Sequence, residues 1–460
     1  MFYIGEGEIG YDRLLDIYKE CRKKGFDRAF FLKMAASLPG LYVPGLYDVS
    51  YNEDGTIRAF DAICGGIPSH IKKVAVEDFT KVPYPDKPLV PYIKVTQDRV
   101  VLEIQRGCIR GCRFCQAGMI YRPVRERSLE ELKATAVKML ESTGHEEISL
   151  SSLSSSDYSR LPELIDFLID YTGKNHINIS LPSLRIDSFS LDVMSKVQDV
   201  RKSSLTFAPE AGSQRLRDVI NKGLYREDIL EGARKAFLGG WSKVKLYFML
   251  GHPTERDEDI RGIAELSNDI AKLYYDTIPK ELRSGRKVQI TCSTSFFVPK
   301  PFTPFQWAKM SSRDEFLEKA HKTSMAMKEQ LNCRSIRYNW HDADVSVLEG
   351  LFARGDRRLC DLVVLAYKKG ALFDAWTDSF KVDIWNEAID ELKIDLDFYV
   401  TRERGINEVL PWDFIDTGVK RSFLESEWER AKQGEVTPNC RTACSGCGAS
   451  VFKGGVCYEG

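Results

Sequence analysis

No run of about 18 apolar residues occurs in the chain, so no segment reads as a membrane-crossing helix. The N-terminus, Met1-Phe2-Tyr3-Ile4-Gly5-Glu6, lacks the basic and long apolar regions of a secretory signal. A reducing, cytoplasmic setting is therefore expected, and it disfavours disulfides among the 12 cysteines. Charge of one sign is lacking too: 66 Lys and Arg stand against 67 Asp and Glu, a net charge of −1. No global basic field advertises nucleic-acid binding. Arg106, Arg110, Arg113, Arg122, Arg125 and Arg127 still make one local basic stretch. No internal repeat stands out. The 460 residues, 43% hydrophobic and 29% charged, suffice for two or three globular domains with a large core.

One stretch departs from this background. Glu103-Ile104-Gln105-Arg106-Gly107-Cys108-Ile109-Arg110-Gly111-Cys112-Arg113-Phe114-Cys115-Gln116 spaces its cysteines as C-x3-C-x2-C. It follows an apolar run, Val100 to Ile104, that reads as a buried strand. Zinc wants four ligands, and no fourth Cys or His follows nearby; His145, the nearest histidine, lies beyond an expected helix. Close thiolates of this kind also hold iron–sulfur clusters. A four-iron cluster on three thiolates keeps one iron open to a ligand. Gly107 and Gly111 let the loop fold tightly. The stretch closely resembles the C-x3-C-x-aromatic-C signature of radical SAM enzymes, with Phe114 as the aromatic residue beside the adenine. That resemblance implies a 4Fe–4S cluster on Cys108, Cys112 and Cys115 whose open iron chelates S-adenosylmethionine (SAM). An electron from the cluster then yields methionine and a 5′-deoxyadenosyl radical.

From about residue 99 the pattern alternates strand and helix. Expected strands are 99–105, 147–151, 177–181, 203–207, 243–250 and 287–293. Expected helices are 129–142, 160–171, 191–198, 226–238 and 258–274. Strands separated by crossover helices imply a parallel, right-handed sheet. The expected fold is α/β, a partial (β/α)6 TIM-like barrel with sites at the strand C-terminal ends. It carries a β-rich N-terminal segment, a helical C-terminal region and a Cys-rich tail. The expected divisions are 1–24, a remnant of a cobalamin-binding-type domain; 25–98, a β-rich linking segment; 99–310, the core; 311–435, helical; and 436–460, the tail.

Strand-end segments gain roles through the family resemblance. Ser149 to Asp157 occupies the place of a Gly-Gly-Glu in many members and departs from it; its hydroxyls, Ser152 among them, suit either SAM binding or helix capping. Ser183 and Arg185 would present a hydroxyl and a guanidinium to the methionyl carboxylate. Phe207 to Arg215 and Ile220-Asn221-Lys222-Gly223 look like the Glu-Ser-Gly-Ser…Asn-Lys/Arg-Gly segment of relatives of tRNA methylthiotransferases. By that likeness Glu210 accepts ribose hydroxyls and Lys222 approaches the SAM carboxylate. The alternative for Lys222 is an exposed cation near a helix end, capped by Gly223. Met249 to Glu255 resembles the Gly-x-Pro-Gly/Thr-Glu turn of the same branch and carries His252. Proline fixes the extended loop from Phe297 to Trp307, whose aromatics border the substrate in the family.

Gly5-Glu6-Gly7-Glu8-Ile9-Gly10 matches G-x-G-x-x-G, with Asp27 beyond it. Two glutamates in a phosphate loop and the want of a full βαβ unit exclude dinucleotide binding. The segment instead resembles the end of a cobalamin-binding-type domain, in an N-terminally shortened member of an uncharacterised radical SAM group. The Asp-x-His-x-x-Gly cobalamin signature is absent, so cobalamin is not expected. The tail, Cys440, Cys444, Cys447 and then Cys457, completes a four-thiolate set that suits zinc or a second 4Fe–4S cluster. Cys21, Cys64, Cys292, Cys333 and Cys360 read as scattered core residues.

The resemblance implies an enzyme that modifies a macromolecule such as RNA, fed by a reducing electron donor such as flavodoxin or ferredoxin, with no membrane partner. The alternatives are a radical methyltransferase or rearrangement enzyme on a small molecule, and a non-enzymatic iron–sulfur scaffold.

Overall fold

The computed structural model describes residues 1–180, 205–283, 287–455 and 457. They fall into two compact units: Met1–Ser203 with Trp412–Ser426 and Thr437–Gly460, and Ser204–Pro411 with Glu427–Val436. The architecture is α/β with parallel sheets.

In the first unit, strands β1 (Val100–Glu103), β2 (Glu147–Ser151) and β3 (Asn178–Ser180) form a parallel sheet in the order β3-β2-β1. Leu102 pairs with Leu150, and Ile179 with Ile148. Helix α1 (Leu129–Thr143) starts on Ser128, whose hydroxyl accepts from the Glu131 amide, and stops at Gly144 with φ +68°. Helix α2 (Leu161–Asn175) starts with Pro162 in its first turn. Their apolar stripes (Leu132, Ala136 and Leu140; Leu164, Ile165 and Leu168) close over Val100, Leu102, Ile148 and Leu150. That core fixes the end of β1, from which the cysteine loop springs.

Before this sheet lie helices Tyr11–Lys23 and Arg28–Ala36, then an antiparallel hairpin of Tyr47–Tyr51 with Ile57–Ala62. Asp27 caps the second helix, accepting from the Ala29 amide at 2.9 Å. Glu6 and Glu8 are ion-pair anchors: Glu6 accepts from Arg125 at 2.7 Å, and Glu8 from Arg106 at 2.7 Å. These roles agree with excluding a phosphate loop there.

In the second unit, β4 (Leu205–Glu210), β5 (Lys243–Leu250), β6 (Gln289–Phe296) and β7 (Ile336–Trp340) form a parallel sheet in that order. Burial alternates along β5 and β6, with Val244, Leu246, Phe248 and Leu250 buried, then Ile290, Cys292, Thr294 and Phe296. The β4 register shifts between Phe207 and Glu210, where Pro209 cannot donate to the ladder. Helices α3 (Arg226–Leu238) and α4 (Asp257–Thr277) follow β4 and β5. The six expected strands are present, and β7 adds a seventh inside the region read as helical. That region otherwise holds helices Arg313–Lys328, Ala343–Arg354, Cys360–Lys369, Val382–Glu391 and Arg421–Gln433.

Candidate functional site

The loop after β1 is held at both sides of its root. The Ile104 amide donates to Ser151 O at 3.1 Å, and the Arg127 amide donates to Ile104 O at 3.0 Å. Gly107 turns the chain with φ +83°; a Cβ there would stand 2.7 Å from Tyr121 O. Beyond the turn, two thiols accept backbone amides: Cys108 Sγ from Arg110 at 3.4 Å and Cys115 Sγ from Gly118 at 3.3 Å. Cys115 thereby caps the short helix Gln116–Ile120. Phe114 is half-buried in the same turn.

Burial pushes the Cys108 thiol up to about 12, and charge on Cys112, Cys115 and Asp157 acts in the same direction. A thiol so placed resists ionisation unless positive charge binds beside it, and a bound metal deprotonates its thiol ligands. All three are free of disulfides. Among the described residues no three His, Cys, Asp or Glu side chains converge on a single metal ion. A four-iron cube spaces its thiolates more widely than one ion does. The donor set and the amides aimed at its sulfurs fit such a cluster.

The serine segment ending β2 braces this loop. Asp157 takes a two-point contact from Arg110, at 3.0 and 2.6 Å, and accepts from Ser154 Oγ at 2.7 Å. Ser152 and Ser155 hydroxyls are 2.9 Å apart. The capping alternative is not what these serines do: the residue preceding α2 is Arg160, with no side-chain cap. Ser183 and Arg185 lie outside the described residues.

The second unit assembles another cluster where its strands end. Glu210 closes β4 with φ +66°, and Lys222 Nζ donates to Glu210 Oε1 at 3.3 Å. Lys222 is mostly buried, so the exposed-cation alternative does not hold. Asn221, Thr254 and Phe302 also take positive φ (51°, 62° and 62°). Such backbone outliers gather at functional sites more than elsewhere. His252, after β5, is buried beside the Glu210 backbone, with its ring 5.4 Å from that of Phe297. Thus Glu210, Lys222 and His252 come together.

The sequence did not reveal the next pair. Glu255 is buried, accepts the Gly251 amide at 2.9 Å and pairs with Lys319 at 2.7 Å. Burial pushes its carboxyl above the usual range, against the pull of Lys319. Lys319 sits on a helix some sixty residues later, and no local pattern announces it.

His252 gives a pH test. Burial pushes its imidazole down from 6.5 to about 3. Between those values the unfolded chain binds a proton that the folded chain refuses, so stability is full above pH 6.5 and declines as pH falls. The slope approaches one proton, about 1.4 kcal/mol per pH unit. Urea midpoints of the wild type should fall between pH 6.5 and 5 more steeply than those of His252→Phe. Equal slopes would show that His252 is not buried neutral.

The tail returns to the first unit's cysteine loop. The Cys440 amide donates to Ile109 O at 3.0 Å, between Cys108 and Cys112 in sequence. The four tail thiols lie near enough that charges on Cys440, Cys444 and Cys447 each push Cys457 up, after burial itself.

A model described as the radical SAM superfamily matches residues 102–267, from β1 through most of α4. Over those residues the chain matches the radical SAM superfamily. Among curated relatives, the chain is 34% identical over 299 residues to an uncharacterized protein of Methanocaldococcus jannaschii, covering 63% of this chain and 62% of that one. A putative methylthiotransferase of the same archaeon is 27% identical over 35% of this chain and 37% of its own. The threonylcarbamoyladenosine tRNA methylthiotransferase MtaB of Aquifex aeolicus is 26% identical over 39% of this chain and 45% of its own. The chain thus spans less than two thirds of the length of each. None of its described helices is long and apolar enough to cross a membrane.

Proposed function

We propose that this chain is a radical SAM enzyme that modifies RNA. One observation carries the enzyme reading: three cysteines at the end of a parallel strand, two accepting backbone amides, inside the matched superfamily region. Cys108, Cys112 and Cys115 would hold a 4Fe–4S cluster. With SAM bound, such a cluster would supply the electron for reductive cleavage of SAM.

The chain's own residues orient and shield. The Arg110–Asp157 clamp fixes the cysteine loop so that its sulfurs keep their places. Phe114 would lie by the adenine and Ser152 near the methionyl end, with Ser183 and Arg185 on its carboxylate. Glu210 would accept ribose hydroxyls and Lys222 pair with the carboxylate; free of ligand, these two neutralise each other. Buried His252, held neutral by its burial, would pack beside the Glu210 backbone without adding a charge there. A low-potential donor such as flavodoxin or ferredoxin would supply the electron, in a reducing cytoplasm. The four tail cysteines would hold a closed centre, zinc or a second 4Fe–4S cluster.

Relatives named for tRNA methylthiotransfer support RNA as the substrate. The net charge of −1 favours the second reading, radical methyl transfer or rearrangement on a small molecule. Filter binding of unmodified tRNA across a salt series separates them. The RNA reading expects affinity to fall about tenfold or more between 50 and 200 mM salt, because phosphate contacts release counterions. Binding no stronger than that of a neutral polymer would leave the small-molecule reading.

A further inference from the structure

Arg122 leaves one end of its guanidinium unused. Its Nε donates to Gly118 O at 3.1 Å, and Nη2 donates to Arg110 O at 3.2 Å. The side chain thereby reaches both the helix that follows Cys115 and the interval between Cys108 and Cys112. Its Nη1 is buried without a hydrogen-bond partner, on a residue only 3% exposed. A buried donor of a charged group is costly to leave unmade, so an acceptor or an anion belongs there. The tail reaches the same place: the Cys440 amide donates to Ile109 O at 3.0 Å, one residue before the Arg110 carbonyl that Arg122 holds.

A second, half-buried cation stands beside Arg122 and the tail's Phe452. Lys73 Nζ donates to Ile120 O at 2.9 Å and Arg122 O at 2.8 Å, and lies 4.2 Å from the centre of the Phe452 ring. Burial and the charge of Arg125 push it down to about 8, with Glu6, Asp416 and then Cys447 pulling the other way. The tail is built in around these cations. Arg441 donates to Asp157 O at 2.7 Å, and the Lys420 amide donates to Cys447 O at 2.9 Å. Gly448, at φ +93°, passes where a Cβ would be 2.7 Å from Lys420. Among the described residues, no three of these thiols converge on a single ion, which leaves the wider-spaced 4Fe–4S cube; four thiolates round such a cube in its doubly positive state leave two negative charges. Buried negative charge needs counter-ions, and two cations are in place.

We propose that Cys440, Cys444, Cys447 and Cys457 close round one anionic metal–thiolate centre with Arg122 and Lys73 as counter-ions, and that Arg122 ties this centre to the Cys108–Cys115 loop. The inference rests on metal binding by the tail, not on SAM cleavage. Arg122 is a positioning residue: its guanidinium balances the tail's charge while its other nitrogens fix the neighbouring loop.

The test isolates the tail in the full chain carrying Cys108→Ala, Cys112→Ala and Cys115→Ala. Iron, zinc and acid-labile sulfide are measured after anaerobic purification, with folding followed by circular dichroism. The expected content is one centre per chain, about four iron with sulfide, lost on adding Cys444→Ala. Release to a chelator should then be about tenfold faster in Arg122→Met and nearly unchanged in Arg122→Lys, which keeps the charge. A folded chain with a metal-free tail overturns the proposal, as does release from Arg122→Met at the parent rate. Should the triple variant not fold, metal lost from Cys444→Ala in the otherwise native chain gives the same comparison. SAM-induced change in the loop cluster's electron paramagnetic resonance is read separately in Cys444→Ala. Its persistence would show that a failure belongs to the tail alone.

Discussion

Cys112→Ala should fold and melt near the wild type, yet lose about four iron atoms per chain and all SAM cleavage. The loop is held by contacts that do not need the thiol: Ile104 on the backbones of Ser151 and Arg127, Gly107 under Tyr121 and Pro123, and Arg110 on Asp157. The backbone should therefore survive the substitution. The cluster should not, because three thiolates are the fewest that leave one iron for SAM while holding the others. Iron analysis, melting and 5′-deoxyadenosine assay together check this. Full iron with unchanged turnover in Cys112→Ala would mean that these cysteines are not the ligands. Loss of the fold itself would mean that the thiols are structural.

Gly212→Ala should destabilise the second unit by about 3 kcal/mol, the upper end for overpacking. Gly212 follows β4 and lies against the backbone of α4. A Cβ would stand 2.2 Å from Ile263 N, 2.4 Å from Gly262 C and 2.7 Å from Asp259 O. None of these is the end of a flexible side chain, so strand end and helix would have to part. Melting should fall by about 6–12 °C for a unit of this size. Glu210 and Lys222 flank the displaced segment, so SAM affinity should weaken as well. Gly173→Ala is the contrast: within α2, where a Cβ meets nothing within 4 Å, it should stabilise by about 0.5–1 kcal/mol. Melting of Gly212→Ala within about 2 °C of the wild type would mean that the loop can yield.

Much of this was legible because periodicity is local. Strand β2 and helix α3 fall on their expected residues, since alternation and turn residues bound them on both sides. Strand β4 runs on to Glu210, beyond the expected 207, because Pro209 breaks the ladder without ending the strand. Strand β7 was missed because its residues are mostly exposed or half-buried, which leaves no apolar run amid helices. The cysteine loop was legible because its donors lie within eight residues of one another. The contacts that complete the site were not. Lys319 reaches Glu255 across 64 residues, and Thr437 accepts from Arg113 across 324. Gly212 against Gly262 and the unpaired end of Arg122 arise only when distant segments are packed, so no single stretch of sequence records them.

The central claim is tested most directly by incubating anaerobically reconstituted, reduced protein with SAM and identifying products by mass spectrometry. The account predicts 5′-deoxyadenosine and methionine from the wild type and neither from Cys112→Ala. A cluster-loaded wild-type protein to which SAM does not bind, and from which no 5′-deoxyadenosine forms, would contradict it.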